Sequence, residues 1–240
     1  MTDRGVKRRT NQDSIFMDDD LGLYIVADGM GGHDSGEVAS SMAVSGTASF
    51  LKSCFHRMSG SPEDETRVID CLQDAVSTVN RRIYDEWRKG PGGLMGTTIS
   101  LLLLMSGRAY TAHVGDSRIY RVRDAKLEKL TKDHNQAQAM ADAGRISPEE
   151  AENHKLSHVL TRSVGSDETV TSDVAFYEVR KGDMFLLSSD GMFRVMNASE
   201  VEEALKAGLS PDKACRLLMD RTIERGAPDN VSIILVECGL

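Results

Sequence analysis

Four aspartates in this 240-residue chain occupy one kind of place. Asp28 follows the apolar run 21–27 and precedes Gly29. Asp116 lies in Val114-Gly115-Asp116-Ser117. Asp190 closes the run 185–189 and precedes Gly191. Asp229 sits just before the apolar run 231–236. An Asp-Gly pair after a strand is ordinary turn chemistry, and any one of these aspartates alone reads best that way. Four together, three with a glycine beside them, read differently if their strands are neighbours. Carboxylates crowded on one rim repel and raise one another's pKa. A hard divalent cation such as Mg²⁺ or Mn²⁺ removes that cost by taking oxygen ligands.

Arg8, in Gly5-Val6-Lys7-Arg8-Arg9, adds a permanently charged fork of donors that matches a phosphate group. A divalent centre beside an arginine suits attack on a phosphate ester. By itself the segment Lys7-Arg8-Arg9 reads as a solvated basic patch. His33, after Gly31-Gly32, is open to two readings: proton transfer near such a site, or an exposed loop histidine. His113 falls inside a strand pattern and reads as structural. No P-loop is present, so nucleotide cradling is not expected.

The elements that must carry these residues follow from periodicity. Residues 21–27 form a short buried strand ending at Asp28-Gly29. Residues 37–51, rich in Ala, Ser, Met and Val, predict a helix against a close neighbour. Val68, Leu72, Val76, Val79, Ile83 and Trp87 recur in steps of three and four and make one helix face, a core stripe. Pro91-Gly92-Gly93 ends that helix. Strands are predicted over 97–105, 108–114 and 117–123, with Gly115-Asp116 as the turn between the last two. Further strands fall over 174–179, 184–187 and 231–236, and helices over 200–206 and 211–224. Residues 132–158 are polar with helical patches and read as a surface insertion. Consecutive strands with segregated helices predict an α+β layered architecture of antiparallel sheets, not a βαβ repeat. No Pro/Gly/Ser linker divides the chain, so residues 1–240 are read as one domain.

Composition narrows the partners. The net charge of −8 makes nucleic acid and anionic membranes poor partners, because both repel it. Aromatic residues are 5% of the chain, too few to suggest a stacking groove for single strands. The longest apolar run, 101–105, is far too short to span a bilayer, and no signal peptide opens the sequence, so a cytoplasmic protein is expected. The four cysteines, Cys54, Cys71, Cys215 and Cys238, form no C-x-x-C pair; free thiols in a reducing compartment are expected.

Seven motifs in order give the chain a family resemblance. They are Thr2-Asp3 with Gly5 and Arg8 through Asp13; Val26-Ala27-Asp28-Gly29-Met30-Gly31-Gly32-His33; Gly96-Thr97-Thr98; His113-Val114-Gly115-Asp116-Ser117-Arg118; Leu160-Thr161-Arg162 with Gly165; Leu187-Ser188-Ser189-Asp190-Gly191; and Asp229-Asn230-Val231. The chain resembles the metal-dependent type 2C serine/threonine protein phosphatases, especially their short bacterial members, from residue 2 to residue 236. That resemblance implies a four-layer α-β-β-α sandwich: two central antiparallel sheets flanked by helix pairs, with the stretch 132–158 as a flap over the site.

It also implies a mechanism. Two tightly bound Mn²⁺ or Mg²⁺ ions, with a third weaker one, would generate a metal-bridged hydroxide that hydrolyses phosphoserine and phosphothreonine on proteins. Carried over by position, Asp28 bridges two ions and the Gly29 carbonyl touches the second. Asp190 and Asp229 complete the first, and Asp116 with Asp190 holds the third. Asp13 holds metal-bound water and Arg8 binds the substrate phosphate. The partners implied are phosphoproteins, including a Ser/Thr kinase or its targets, met by a monomer. Two positions depart from the commoner pattern. Gln12 replaces a glutamate and brings no charge to the second ion. Met30 stands where eukaryotic relatives often carry a histidine proposed as general acid, which leaves the acid unassigned. The rival readings are a non-catalytic phosphoprotein binder and a two-metal nuclease or small-phosphoester hydrolase.

Overall fold

The apolar run 21–27 continues past its hydrophobic residues: the strand it opens extends through Asp28 and Gly29 to Gly31. In the computed structural model, which describes residues 1–32, 35–57, 65–89, 95–206 and 208–239, the chain begins with β1 (Thr2–Asp3), β2 (Asp13–Asp18) and β3 (Leu23–Gly31). Helices α1 (Ser35–Arg57) and α2 (Glu65–Lys89) follow. Then come β4 (Met95–Thr97), β5 (Ile99–Met105), β6 (Arg108–Val114), β7 (Arg118–Arg123) and β8 (Lys126–Lys129). Next are α3 (Gln136–Asp142), α4 (Pro148–Glu152), β9 (Asp173–Glu178), β10 (Met184–Ser188) and α5 (Asp190–Phe193). The last elements are α6 (Ala198–Leu205), α7 (Pro211–Glu224) and β11 (Val231–Glu237).

The strands form two sheets. One runs β1-β11-β10-β7-β8; the other runs β2-β3-β5-β6-β9, with β4 paired to β3. Every named pairing is antiparallel. Strand alternation assigns the layers. Leu23, Ile25 and Ala27 face the α1–α2 pair, whereas Tyr24 and Val26 face the other sheet beside Phe185, Leu187 and Ile234. On the far side Leu186 and Ile233 pack with Val201, Leu218 and Met219 of α6 and α7. These three apolar layers between four structural ones make the expected α-β-β-α sandwich.

Helix α1 buries small residues, Gly36, Ala39, Ser40, Ala43 and Ala48 among them, and so lies close to β3 and to α2. A Cβ at Gly46 would stand 2.7 Å from Val79 Cγ1. Helix α6 starts at a capping box in which Asn197 and Glu200 satisfy each other's backbone N–H groups. Among the described residues no helix is long and apolar enough to cross a membrane.

Three expectations change. The predicted strand 97–105 is two strands, broken at Thr98, whose side chain and backbone serve Asp28 instead of a ladder. The stretch 132–158 is not simply a surface insertion: Asp133, His134, Asn135, Ala137 and Ala151 are buried and root it in the sandwich. Cys54 and Cys71 are joined in a disulfide between α1 and α2, with Cα atoms 6.6 Å apart. Only Cys215 and Cys238 are free. A separation of 17 positions between Cys54 and Cys71 hides the pair in the sequence, and antiparallel helix packing brings it together. The helix stop at Pro91-Gly92-Gly93 lies outside the described residues.

Candidate active site

The site grows from one cross-strand pair. In the β2–β3 ladder Asp13 stands directly opposite Asp28. The Gly96-Thr97-Thr98 segment fixes Asp28 by its backbone. Its N–H donates to Thr98 Oγ1 at 2.9 Å, and its carbonyl accepts from the Thr98 N–H and from Thr97 Oγ1, each at 2.9 Å. The Asp13 Oδ2 accepts from Ser189 Oγ at 2.7 Å, while Oδ1 is buried with no hydrogen-bond partner. Gly29 is buried where α1 passes: a Cβ there would meet the Gly36 carbonyl oxygen at 2.0 Å, so only glycine fits.

The N-terminal arm is stapled over this pair. Asn230 donates from Nδ2 to the carbonyls of Arg4 and Thr10, and its Oδ1 accepts the Gln12 N–H. Gly5, at φ +73°, lies so close that a Cβ would stand 2.1 Å from the Asp229 carbonyl oxygen. The arm delivers Arg8, whose Nε and Nη2 fork onto the two carboxylate oxygens of Asp229 at 2.7 Å each. The hydrogen bond to Asp229 raises the Arg8 pKa.

Asp190 begins α5, directly after β10, and Asp229 precedes β11, the neighbour of β10. Asp116 closes the turn between β6 and β7, strands of opposite sheets. Arg194, one helical turn after Asp190, donates to Asp190 Oδ2 from Nε at 2.9 Å and Nη2 at 2.5 Å. Its Nη2 also lies 3.5 Å from Asp229 Oδ2. The Asp190 Oδ1 is buried and unpartnered.

These carboxylates feel one another. Burial pushes Asp13 up to about 7, against the Ser189 and Ser232 hydroxyls and reinforced by Asp190 and Asp229. Burial likewise raises Asp28, with Asp13, Asp190, Asp116 and Asp229 adding repulsion, and raises Asp116, with Asp190 adding to it. Among the described residues no three His, Cys, Asp or Glu side chains close into a ready-made ion cage. Arg8 and Arg194 hold Asp229 and Asp190 at the rim instead. The donor set nevertheless fits a hard divalent cation. It is all oxygen, its charges repel, and two buried carboxylate oxygens, Asp13 Oδ1 and Asp190 Oδ1, lack any partner.

A cleft of about 640 Å³ opens on this rim. Arg8, Asp28, Asp116, Asp190, Arg194 and Asp229 line one side, and the segment 158–163 lines the other. That segment is the return of the flap. His134 anchors both flap ends. Its N–H donates to the Gly115 carbonyl at 2.7 Å and its carbonyl accepts from the Thr161 N–H at 2.9 Å. Its ring Nδ1 accepts from the Gly115 N–H at 3.1 Å, so the proton is on Nε2, 3.1 Å from Asp173 Oδ2. His113 is structural, as expected. Its ring is bracketed by Ser100 Oγ and the Lys132 carbonyl, and burial lowers its pKa to about 3.

The structure thus gathers Arg8, Asp13, Asp28, Gly29, Asp116, Asp190 and Asp229 at one end of the sandwich. His33 lies outside the described residues. Sequence reasoning missed Arg194, Ser189 and the stapling role of Asn230. Arg194 had a legible signal, since a position four after a candidate ligand at a helix start shares its face.

The family model described as Protein phosphatase 2C matches residues 5–231. The chain belongs to the protein phosphatase 2C family. It is a metal-dependent serine/threonine protein phosphatase of the bacterial type. Its sequence is 34% identical to the serine/threonine phosphatase stp of Listeria monocytogenes over 98% of this chain and 93% of that protein. It is also 34% identical to the serine/threonine protein phosphatase PstP of Mycobacterium tuberculosis, over 98% of this chain but 44% of that longer protein. The crystal structure of the Mycobacterium tuberculosis phosphatase PstP/Ppp superposes with a TM-score of 0.88 at 32% identity, covering 100% of this chain and 97% of that one. A structure of the PstP catalytic domain in complex with two manganese ions matches with a TM-score of 0.85 at 32% identity, covering 100% and 96%.

Proposed function

We propose that residues 1–240 act as one catalytic domain that hydrolyses phosphoserine and phosphothreonine esters on proteins, opposing a Ser/Thr kinase. The observation that carries the reading is the pair of buried, unpartnered oxygens, Asp13 Oδ1 and Asp190 Oδ1, in a ring of carboxylates beside Arg8. Asp28, Asp190, Asp229 and the Gly29 carbonyl would hold two divalent ions, with Asp13 acting on their bound water. A third, weaker ion between Asp116 and Asp190 is the family's further expectation. Bound divalent ions supply a water of lowered pKa and neutralise charge at the phosphoryl group.

The chain's own residues do the rest. Arg8, exposed at the cleft mouth and forked on Asp229, turns its donors to the incoming phosphate and orients it for in-line attack. The same charge stabilises the phosphoryl oxygens as the ester bond breaks. Asp28 keeps a fixed direction because three hydrogen bonds hold its backbone. Gln12, at the cleft wall, contributes an amide and no charge. His33 is the side-chain candidate for the proton donor to the leaving oxygen. The flap return walls the cleft and meets the protein around the phosphorylated residue. The partners are phosphoproteins, among them a Ser/Thr kinase or its targets, met by a monomer in the cytoplasm.

Phosphate release from a phosphothreonine peptide, with and without chelator, tests the reading, with a nucleotide as the competing substrate. Mn²⁺-dependent release from the peptide alone is the expected result. Full activity in excess chelator, or preference for the nucleotide, would overturn it.

A further inference from the structure

The two oxygens of Asp190 meet different surroundings. Oδ1 is buried and has no partner, and the carboxylate acts on Asp28, Asp13 and Asp116 alike. Oδ2 is taken twice by the Arg194 guanidinium, at 2.9 and 2.5 Å. That guanidinium is placed by local structure. Arg194 is the C-cap of α5, and its N–H donates to the Asp190 carbonyl at 3.1 Å, so the same turn presents acid and base together.

Asp116, Asp190 and Arg194 also line a second cavity, of about 380 Å³, reached beneath Glu152, Asn153 and Ser157 of the flap. Of the two arginines lining it, Arg118 is committed elsewhere. It forks onto Asp133 at 3.2 and 2.7 Å and lies over the Phe193 ring at 4.9 Å. Arg194 is the cation that contacts Asp190, although both arginines favour the charged form of Asp116. Its pKa is raised against the opposing effect of burial, with Asp190, Asp229 and Asp116 as the sources.

We propose that Arg194 is a built-in cation on the outward side of Asp190, so that this phosphatase binds two divalent ions and excludes the third that Asp116 and Asp190 would share. The inference rests on the two-ion reading above. A divalent ion between Asp116 and Asp190 would compete with Arg194 for the Asp190 carboxylate, and would face a positive guanidinium at contact distance. A permanently charged arginine cannot escape that repulsion by losing its proton. Ions on the inner side would still find Asp190 Oδ1, which Arg194 leaves open. In exchange, the guanidinium supplies fixed positive charge next to the substrate cleft without depending on free metal.

Equilibrium dialysis against Mn²⁺, from micromolar to millimolar, counts the ions directly on the full chain. Arg194→Gln and Arg194→Met remove the charge at a position on the protein surface. The two tight ions, counted in the same titration, report that each variant is folded. The wild type should take up two Mn²⁺ per chain and stop, and both variants should acquire a third, weaker ion. Three ions on the wild type, or two on wild type and variants alike, would overturn the role of Arg194 and leave the two-ion centre standing. Fewer than two on the wild type would overturn the centre itself, and this inference with it.

Discussion

Asp13 and Asp28 face each other directly across the β2–β3 ladder, both pushed toward their protonated forms by burial and then by neighbouring carboxylates. Directly opposed residues have Cβ atoms about 4.5–5.5 Å apart, and like charges there are destabilising. The ladder therefore stores a repulsion that a divalent ion relieves. Asp28→Asn should stabilise the metal-free protein by about 1–3 kcal/mol at neutral pH, since an amide can be buried there without first taking up a proton that the unfolded chain does not hold. The same change should remove Mn²⁺-dependent phosphatase activity. Urea unfolding in chelator, beside turnover of a phosphopeptide, checks both halves. A variant less stable than the wild type in chelator would mean that the two carboxylates do not oppose each other.

Arg8 is half exposed in its side chain yet forked on Asp229, so little stability depends on it and much of the phosphate binding should. Arg8→Ala should raise KM for a phosphopeptide by about 10- to 100-fold, the scale of a charge-assisted hydrogen-bonded pair, with a smaller fall in kcat. Arg8→Lys should recover only part of the loss, because an ammonium lacks the fork. An unchanged KM would return Arg8 to the role of a solvated surface charge.

His113 makes stability depend on pH in a direction that its burial fixes. Its folded pKa, about 3, lies below the ordinary value of 6.5, so the folded state refuses a proton that the unfolded chain accepts. Its contribution is fully present above the unfolded pKa and is lost as pH falls from 6.5 toward 3. The slope can reach about 1.4 kcal/mol per pH unit. His113→Asn should be less stable at neutral pH, having lost the fit between Ser100 and Lys132, but should show a flatter acid limb. Urea midpoints measured across that range decide the matter; parallel limbs for both proteins would remove His113 as the source.

The flap root carries the largest structural penalty. Asp133 is 6% exposed and satisfies Arg118 and Lys129 at once. Asp133→Ala leaves two half-buried cations without their carboxylate, and should cost about 3–5 kcal/mol. Thermal unfolding of the variant gives the answer. Changes at the exposed tip, such as Arg145→Ala, should leave stability within about 0.5 kcal/mol. There the effect should fall on phosphoprotein substrates and spare a small aryl phosphate.

The contrast between Asp133 and Arg145 also marks what the sequence could tell. Residues such as Val68, Leu72 and Val76 announce α2 because one helix face is buried, and the alternation in β3 announces which side meets which layer. Asp28, Asp116, Asp190 and Asp229 were legible because each stands at the border of an apolar run in the sequence. The flap root was not, because Asp133, His134 and Asn135 are polar residues buried by partners distant in the chain. Arg118 is 15 residues from Asp133, and Asp173 is 39 from His134. Strand β2 escaped for a related reason. Its sequence Asp-Ser-Ile-Phe-Met-Asp has acids at both ends, and one of them is buried for chemistry rather than for packing. The Cys54–Cys71 pair shows the same limit: helix packing, not spacing, makes the bond.

The remaining question of mechanism is the proton donor, and the leaving group can probe it. Phosphoserine must release a strongly basic alkoxide, so its hydrolysis gains from a general acid. A nitrophenolate leaves readily without one. Met30 cannot donate, which leaves His33 or a water in the cleft. If His33 donates, His33→Ala should slow phosphopeptide hydrolysis by about 10²-fold or more and barely change the rate on an aryl phosphate. If water donates, both rates should stay near those of the wild type. Two glycines, Gly31 and Gly32, precede the histidine, and such a sequence gives a side chain little local constraint. Water is therefore the expected donor. A large loss confined to the phosphopeptide would assign the proton to His33 instead, and a loss of equal size on both substrates would show that His33 acts on the site before the proton is needed.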